Sequence, residues 1–220
     1  LDAILAAVNE RTRVVMLCNP NNPTGTSFGQ AAFDAFVAKL PADVVLVIDE
    51  AYYEYVRRDD FPDTVALTKT RPGTLVLRTF SKIYGLAGLR VGYGVMDPEL
   101  ASYLERARHP FNVNLLSEAA ALAALDDVEH VARTLRVNRE GAEDLSRELG
   151  ALGIEVWPTD ANFLLAKAGA GSYERLLREG VIVRPMAGFG LPEHVRITIG
   201  TPKENEKLIK ALQKIREGAR

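Results

Sequence analysis

Asn22, Asp49, Tyr52, Ser81 and Lys82 each stand shortly after an apolar run, at spacings that would bring an amide, a carboxylate, a phenol, a hydroxyl and an amine to one place. The amine is the most demanding of these groups. A lysine attacks an aldehyde only when neutral, and its free pKa is about 10.4. It therefore needs desolvation or a cationic neighbour. Lys82 follows an apolar run and lies eight residues before Arg90, so the sequence offers both. Asp49, at the end of the run Val44–Ile48, suits a protonated nitrogen heterocycle, which a carboxylate stabilises as an electron sink. A charge-assisted hydrogen bond of that kind contributes roughly 1.5–3 kcal/mol. A ring oxygen beside the reactive carbon would take donors, and Asn22 and Tyr52 supply them. A phosphate handle would take hydroxyls and a guanidinium, which Thr79, Ser81 and Arg90 supply.

These groups meet only if the elements ahead of them share a direction. Val14–Cys18 is a β-rich run, Val44–Ile48 is a continuous apolar run of the kind buried on both sheet faces, and Leu75–Leu77 begins another. Arg90–Val95 reads as a further strand, broken by Gly92 and Gly94. Between the first two, Phe33, Phe36, Val37 and Leu40 mark one helix face, with Ser27 and Gln30 as an expected capping box. Strands alternating with helices predict an α/β fold with a mostly parallel sheet, whose ligands bind at the C-terminal strand ends. The second half differs. Val128, Val131, Ala132, Leu135, Ala142, Leu145 and Leu149 form a long helical stripe, and short strands are expected at Ile154–Val156, Phe163–Ala166, Val181–Arg184 and Val195–Ile199. Thr201-Pro202-Lys203-Glu204 opens a last helix, with Thr as N-cap, Pro at the first helical position and Glu closing the box. Residues 1–122 are expected to belong to a large domain and 123–220 to a smaller α+β domain.

The bulk composition excludes several classes. At 47% hydrophobic and 25% charged residues, with a net charge of −2, the chain has neither the basic excess of a nucleic-acid binder nor that of an anionic-membrane binder. No apolar run approaches 20 residues and no signal peptide is visible, so no membrane span is expected. Cys18 is the one cysteine, which precludes an intrachain disulfide and fits a reducing compartment. His109, His130 and His194 lack ligand spacing, so no metal site is expected.

The stretches Asn22-Pro23-Thr24-Gly25, Asp49-Glu50-Ala51-Tyr52 and Ser81-Lys82 through Gly88-Leu89-Arg90 resemble those of the class I and II aminotransferases of pyridoxal-phosphate fold type I. Arg78-Thr79-Phe80-Ser81-Lys82, Pro110-Phe111-Asn112-Val113-Asn114 and Val195-Arg196-Ile197-Thr198-Ile199-Gly200-Thr201 are most similar to the histidinol-phosphate aminotransferase branch. Each motif is weak alone; four in order at these spacings are specific. The resemblance implies pyridoxal 5'-phosphate as cofactor, held by Lys82 as a Schiff base, with the lysine later shuttling a proton. It implies that Asp49 pairs with the pyridine nitrogen, that Asn22 and Tyr52 bond the ring oxygen, and that Thr79, Ser81 and Arg90 bind the phosphate. Arg196 would grip the anionic group of the substrate, and Arg184 would be a second anion contact. Phe111 is a candidate for lining the cofactor pocket. The implied reaction is transamination between a small amino donor and a 2-oxo acid, first histidinol phosphate with 2-oxoglutarate, then an aromatic amino acid, then a lyase reaction on the same scaffold. A cytoplasmic homodimer is also implied. Family members are longer, and a stacking aromatic residue, a phosphate-binding loop and a substrate arm would precede Leu1.

Other readings stand beside this one. Asn22-Pro23-Thr24-Gly25 also suits a plain turn, Tyr52 a core tyrosine, Lys82 a solvated lysine, and Arg184 and Arg196 surface ion pairs. Asp49-Glu50 after an apolar run resembles a magnesium-binding ATPase strand, but no Gly-x-x-x-x-Gly-Lys-Ser/Thr is present and Lys82 and Tyr52 would have no task. A transcription regulator that binds the cofactor as effector would carry a basic helical module ahead of Leu1.

Overall fold

The computed structural model describes residues 1–217. Contacts divide them into two compact units, one formed by Leu1–Pro20 with Ser27–Val131, the other by Asn21–Thr26 with the residues from Ala132 onward.

In the first unit a short helix α1 (Asp2–Ala7) leads into β1 (Val14–Cys18), α2 (Gln30–Val37), β2 (Val45–Asp49), α3 (Thr64–Leu67), β3 (Thr74–Thr79) and β4 (Gly92–Met96). The sheet order is β1-β2-β3-β4. The first three strands are parallel, with Cys18 opposite Asp49 and Asp49 opposite Leu77. β4 runs antiparallel to β3. Successive strand residues face opposite sides of a sheet. One face, carrying Val15, Leu17, Leu46, Ile48 and Val76, packs against Phe33, Phe36 and Leu40 to form the core. Full burial of each such side chain contributes about 1.5–3 kcal/mol. Val14 and Met16 on the other face of β1 are exposed, so this strand is covered on one side only, whereas β2 is buried at Leu46, Val47 and Ile48 alike.

Two local expectations need correction. Gly92 and Gly94 do not break their strand; β4 runs through both. A Cβ on Gly92 would come within 2.7 Å of the Arg78 carbonyl oxygen, so glycine lets the antiparallel strand approach β3 closely. Ser27 and Gln30 do not form a capping box either. The N-cap of α2 is Gly29. Arg58 takes both the Ser27 carbonyl and its hydroxyl, and the Gln30 side chain bonds Asp34 and the Asp63 N–H instead.

After β4 come α4 (Pro98–Ala107) and α5 (Leu115–Asp126), capped by Asp97 and Asn114, neither of which the periodicity had marked. α5 buries Ser117 and Ala121, and leaves Leu115, Leu116, Leu122 and Leu125 exposed. α6 (Val128–Ala151) forms where the stripe predicts a helix; of that stripe Ala142, Leu145 and Leu149 are buried, together with Asn138 and Gly141, whereas Val128 and Ala132 are exposed.

In the second unit β5 (Glu155–Val156), β6 (Phe163–Lys167), β7 (Arg184–Pro185) and β8 (Val195–Thr198) form an antiparallel sheet in the order β5-β6-β8-β7. Val181–Val183, expected as strand, precedes β7 as irregular chain that follows α7 (Ser172–Arg178). The sheet packs with α7, α8 (Pro202–Glu217) and the C-terminal half of α6 around Leu145, Leu149, Leu164, Leu176, Ile197 and Leu212.

At the start of α8 only half of the expected box forms. The Glu204 carboxylate accepts from the Thr201 N–H and from its hydroxyl, both at 2.7 Å, so the Thr201 hydroxyl donates rather than caps. Those two bonds hold the Glu204 carboxyl below its ordinary range. A lowered folded-state value gives stability that is present above the ordinary value and lost as pH falls through the lowered one. Glu204→Ala is therefore expected to melt earlier than wild type at neutral pH and to lose less on acidification across that window. Thermal unfolding followed at a series of pH values checks both.

Candidate active site

The C-terminal ends of β2 and β3 lie side by side, and this places the acid and the amine. Asp49 is the last residue of β2, partly buried, and shares a sheet face with Val47. Its Oδ1 accepts the Ala51 N–H at 3.0 Å, which turns the chain so that Tyr52 follows at the same end. Tyr52 is 4% exposed. Beyond β3, Phe80 and Ile83 are buried and pin the loop, while Ser81 and Lys82 between them stay partly accessible. Lys82 Nζ sits 5.0 Å from the centre of the Tyr52 ring, within the range of a cation–π contact. Asp49, Tyr52 and Lys82 are thus gathered at one edge of the parallel strands.

The loop from Thr79 to Arg90 carries the candidate phosphate ligands. Thr79 Oγ1 accepts the Ser81 N–H at 3.0 Å, so this hydroxyl shapes the turn that presents Ser81 and Lys82. Arg90 is exposed and holds a left-handed backbone conformation (φ 55°), rare outside glycine. Such conformations gather at ligand sites, where the surroundings hold them. Its Nη1 donates to the Ala87 carbonyl. Phe111, also left-handed, is 95% exposed.

The remaining predicted residues fall in the second unit. Asn22 lies in the loop 21–26, where Gly25 (φ 78°) approaches Thr159 so closely that a Cβ would overlap its hydroxyl. Asn22 Oδ1 accepts from Arg196 Nη1 at 2.6 Å. The Arg196 guanidinium also lies 4.9 Å from the Phe163 ring centre, and its buried Nε has no hydrogen-bond partner among the described residues. Arg184 stands directly opposite Arg196 in the β7–β8 pairing and is exposed. Like charges facing each other across strands are unfavourable unless an anion balances them. The pair therefore fits a carboxylate or phosphate, which an arginine fork binds through paired oxygens.

Sequence reasoning passed over a buried ion pair. Glu50, next to Asp49, is fully buried. Arg78 donates to its Oε2 from Nε at 3.0 Å and from Nη2 at 2.9 Å, and the Thr64 hydroxyl bonds Oε1. Burial pushes the Glu50 carboxyl up, against the bonds from Thr64 and Arg78. Burial would lower the Arg78 guanidinium, but the Glu50 charge holds it above its ordinary value. The Arg78 guanidinium also stacks 3.5 Å from the Tyr53 ring centre. Opposite charges at the ends of two neighbouring apolar runs were the available signal. Among the described residues no group of three or more His, Cys, Asp or Glu is placed to hold a metal ion, and no helix is long and apolar enough to cross a membrane.

The family described as aminotransferase class I and II matches residues 1–212. The chain is 50% identical over 220 residues to histidinol-phosphate aminotransferase 1 of Nitrosococcus oceani, covering 99% of this chain and 60% of that protein. It thus spans about 60% of the length of the curated relatives it matches. Among solved structures, histidinol-phosphate aminotransferase from Sinorhizobium meliloti in complex with pyridoxal-5'-phosphate superimposes with a TM-score of 0.91 at 30% identity, covering 100% of this chain and 62% of that one. L-threonine-O-3-phosphate decarboxylase from Porphyromonas gingivalis superimposes at 0.82 and 27%, covering 96% of this chain and 67% of that one.

Proposed function

Because the chain belongs to the class I and II aminotransferase family and has its fold type I architecture, we propose that the protein catalyses a transamination with pyridoxal 5'-phosphate as cofactor. The substrates we assign are histidinol phosphate and 2-oxoglutarate, giving imidazole acetol phosphate and glutamate in histidine biosynthesis; the 50% identity to the Nitrosococcus oceani protein supports this choice. The observation that carries the reading is the amine of Lys82 beside the Tyr52 ring, at the end of the strand adjoining the one that ends in Asp49.

The donor set fits the cofactor: an acid for its ring nitrogen, a phenol for its ring oxygen, an amine for its aldehyde, and a hydroxyl and a guanidinium for its phosphate. When bound, pyridoxal phosphate supplies an electron sink for the substrate carbon. The chain supplies the rest. The Asp49 carboxylate keeps the ring nitrogen protonated. The Tyr52 hydroxyl donates to the ring oxygen, to which we also assign Asn22. Ser81 and Arg90 hold the phosphate, with Thr79 setting their turn. Lys82 Nζ would hold the cofactor through its aldehyde and would take and return the proton at the substrate carbon. Arg196, with Arg184, holds the anionic group of the substrate.

Loading the protein with pyridoxal phosphate, reducing with borohydride and mapping the tagged peptide tests this reading. We expect the tag on Lys82, and a tag on another lysine refutes the assignment. Arg196→Lys keeps the charge but loses the fork. It is expected to raise KM for the anionic substrate about tenfold or more, the worth of one hydrogen bond to a charged group, with a smaller change in kcat. Steady-state kinetics separates the two.

The likeness to L-threonine-O-3-phosphate decarboxylase favours a second reading, a lyase reaction on the same scaffold. Release of carbon dioxide without formation of glutamate, measured over a panel of amino donors, would select it. We also propose a homodimer. The exposed apolar residues Phe111, Leu115, Leu116, Leu122 and Leu125 support it, since a patch of this kind marks an association surface. Sedimentation of the protein as a monomer would exclude it. The location we propose is cytoplasmic, which suits a chain whose one cysteine, Cys18, can form no intrachain disulfide.

A further inference from the structure

Three of the residues assigned to the cofactor in the first unit, Asp49, Tyr52 and Lys82, each have a clamped counterpart close to them in the chain. Asp49 is followed by Glu50, Tyr52 is followed by Tyr53, and Lys82 lies four residues after Arg78. Glu50, Tyr53 and Arg78 touch one another, with the Arg78 guanidinium bonded to Glu50 and stacked on Tyr53. Thr64, in α3, closes the cluster on the second Glu50 oxygen. The sheet pairing sets Asp49 opposite Leu77, and the Glu50 N–H continues the ladder to the Leu77 carbonyl. Strand alternation therefore turns Glu50 to the face opposite Asp49.

We propose that Glu50, held by Arg78 and Thr64, is a positioning residue that fixes the spacing of the β2 and β3 ends, so that Asp49 and Lys82 meet a single cofactor ring. A buried ion pair is a weak source of net stability, because desolvation offsets much of its attraction. What such a pair does supply is a fixed geometry. Both Glu50 oxygens are engaged, and the planar guanidinium is held at its edge by the carboxylate and on its face by Tyr53. The strand ends cannot slide past each other without breaking these contacts. A displacement of about 1 Å in a catalytic constellation is enough to cost on the order of 100-fold in rate.

This inference rests on the reading of Lys82 as the cofactor lysine, and the two are separable by experiment. Borohydride tagging of the wild-type protein tests that reading alone. The clamp is tested by the dissociation constant for pyridoxal phosphate and by the pH midpoint of the visible band of the bound cofactor, measured in the full-length protein. Glu50→Gln and Thr64→Val are each expected to weaken cofactor binding on the order of tenfold, as loss of a supporting residue does around bound metals, and to move the midpoint. Thr64→Ser, which keeps the hydroxyl, is expected to return both to wild-type values. The Thr64 pair decides the matter even if Glu50→Gln does not fold. Wild-type affinity and midpoint in Thr64→Val, with only the melting temperature of the cofactor-free protein lowered, would make the cluster merely structural and overturn the proposal.

Discussion

Replacing Lys82 with alanine is expected to abolish cofactor tagging and to lower kcat for the proposed transamination by roughly 10⁴-fold or more, the upper range for a positioned acid–base group that is also the proposed covalent anchor. The fold should survive. Lys82 is only partly buried, and the loop around it is held by the buried side chains of Phe80 and Ile83 and by the Leu86 N–H bonding the Phe80 carbonyl. Circular dichroism of the variant should therefore match wild type while single-turnover formation of product disappears. Lys82→Arg makes the complementary control. It keeps a cation near Tyr52, but a guanidinium cannot lose its proton at working pH and so cannot act as the nucleophile. If Lys82→Arg retained activity, the amine would not be the reacting group.

Asp49→Asn should produce the second largest loss, about 100- to 1,000-fold in kcat, which corresponds to about 2.7–4 kcal/mol for removal of one preorganised electrostatic partner. The substitution isolates charge from structure. The Asp49 oxygen that accepts the Ala51 N–H has a counterpart in the asparagine side-chain carbonyl, so the turn toward Tyr52 is retained. What disappears is the negative charge proposed to keep a ring nitrogen protonated. The loss should therefore fall on kcat more than on KM, and the borohydride tag on Lys82 should persist. A variant with wild-type kcat would show that the ring nitrogen has its proton partner elsewhere.

Much of this was legible in the residue order. The run Val44–Ile48 ending in Asp49 announced a strand buried on both faces, because an apolar stretch without alternation has no side to offer water. Ser81 and Lys82 were legible as polar groups just beyond an apolar run, whereas the Thr79 hydroxyl, expected at a phosphate, accepts the Ser81 N–H and shapes the turn. Local capping was read less well. Ser27 and Gln30 have the right spacing for a box, but Arg58, distant in sequence, takes the Ser27 oxygens. Thr201 and Glu204 pair as expected by spacing, yet the hydroxyl donates instead of capping. Val181–Val183 carries β-branched residues without joining the sheet, because β-propensity describes a fit to neighbours that the sequence does not name.

The sequence by itself determined which chemical groups this protein has at its strand ends, and in what order, because side-chain type and the periods of helix and strand are local properties. Only the tertiary structure decided which of those groups stand together. It set the parallel register that puts Asp49 opposite Leu77, the Glu50–Arg78 pair that joins two strand ends 28 positions apart, and the bond between Asn22 and Arg196 across 174 positions. Such contacts depend on how the chain closes on itself, and no pattern confined to neighbouring residues encodes that closure.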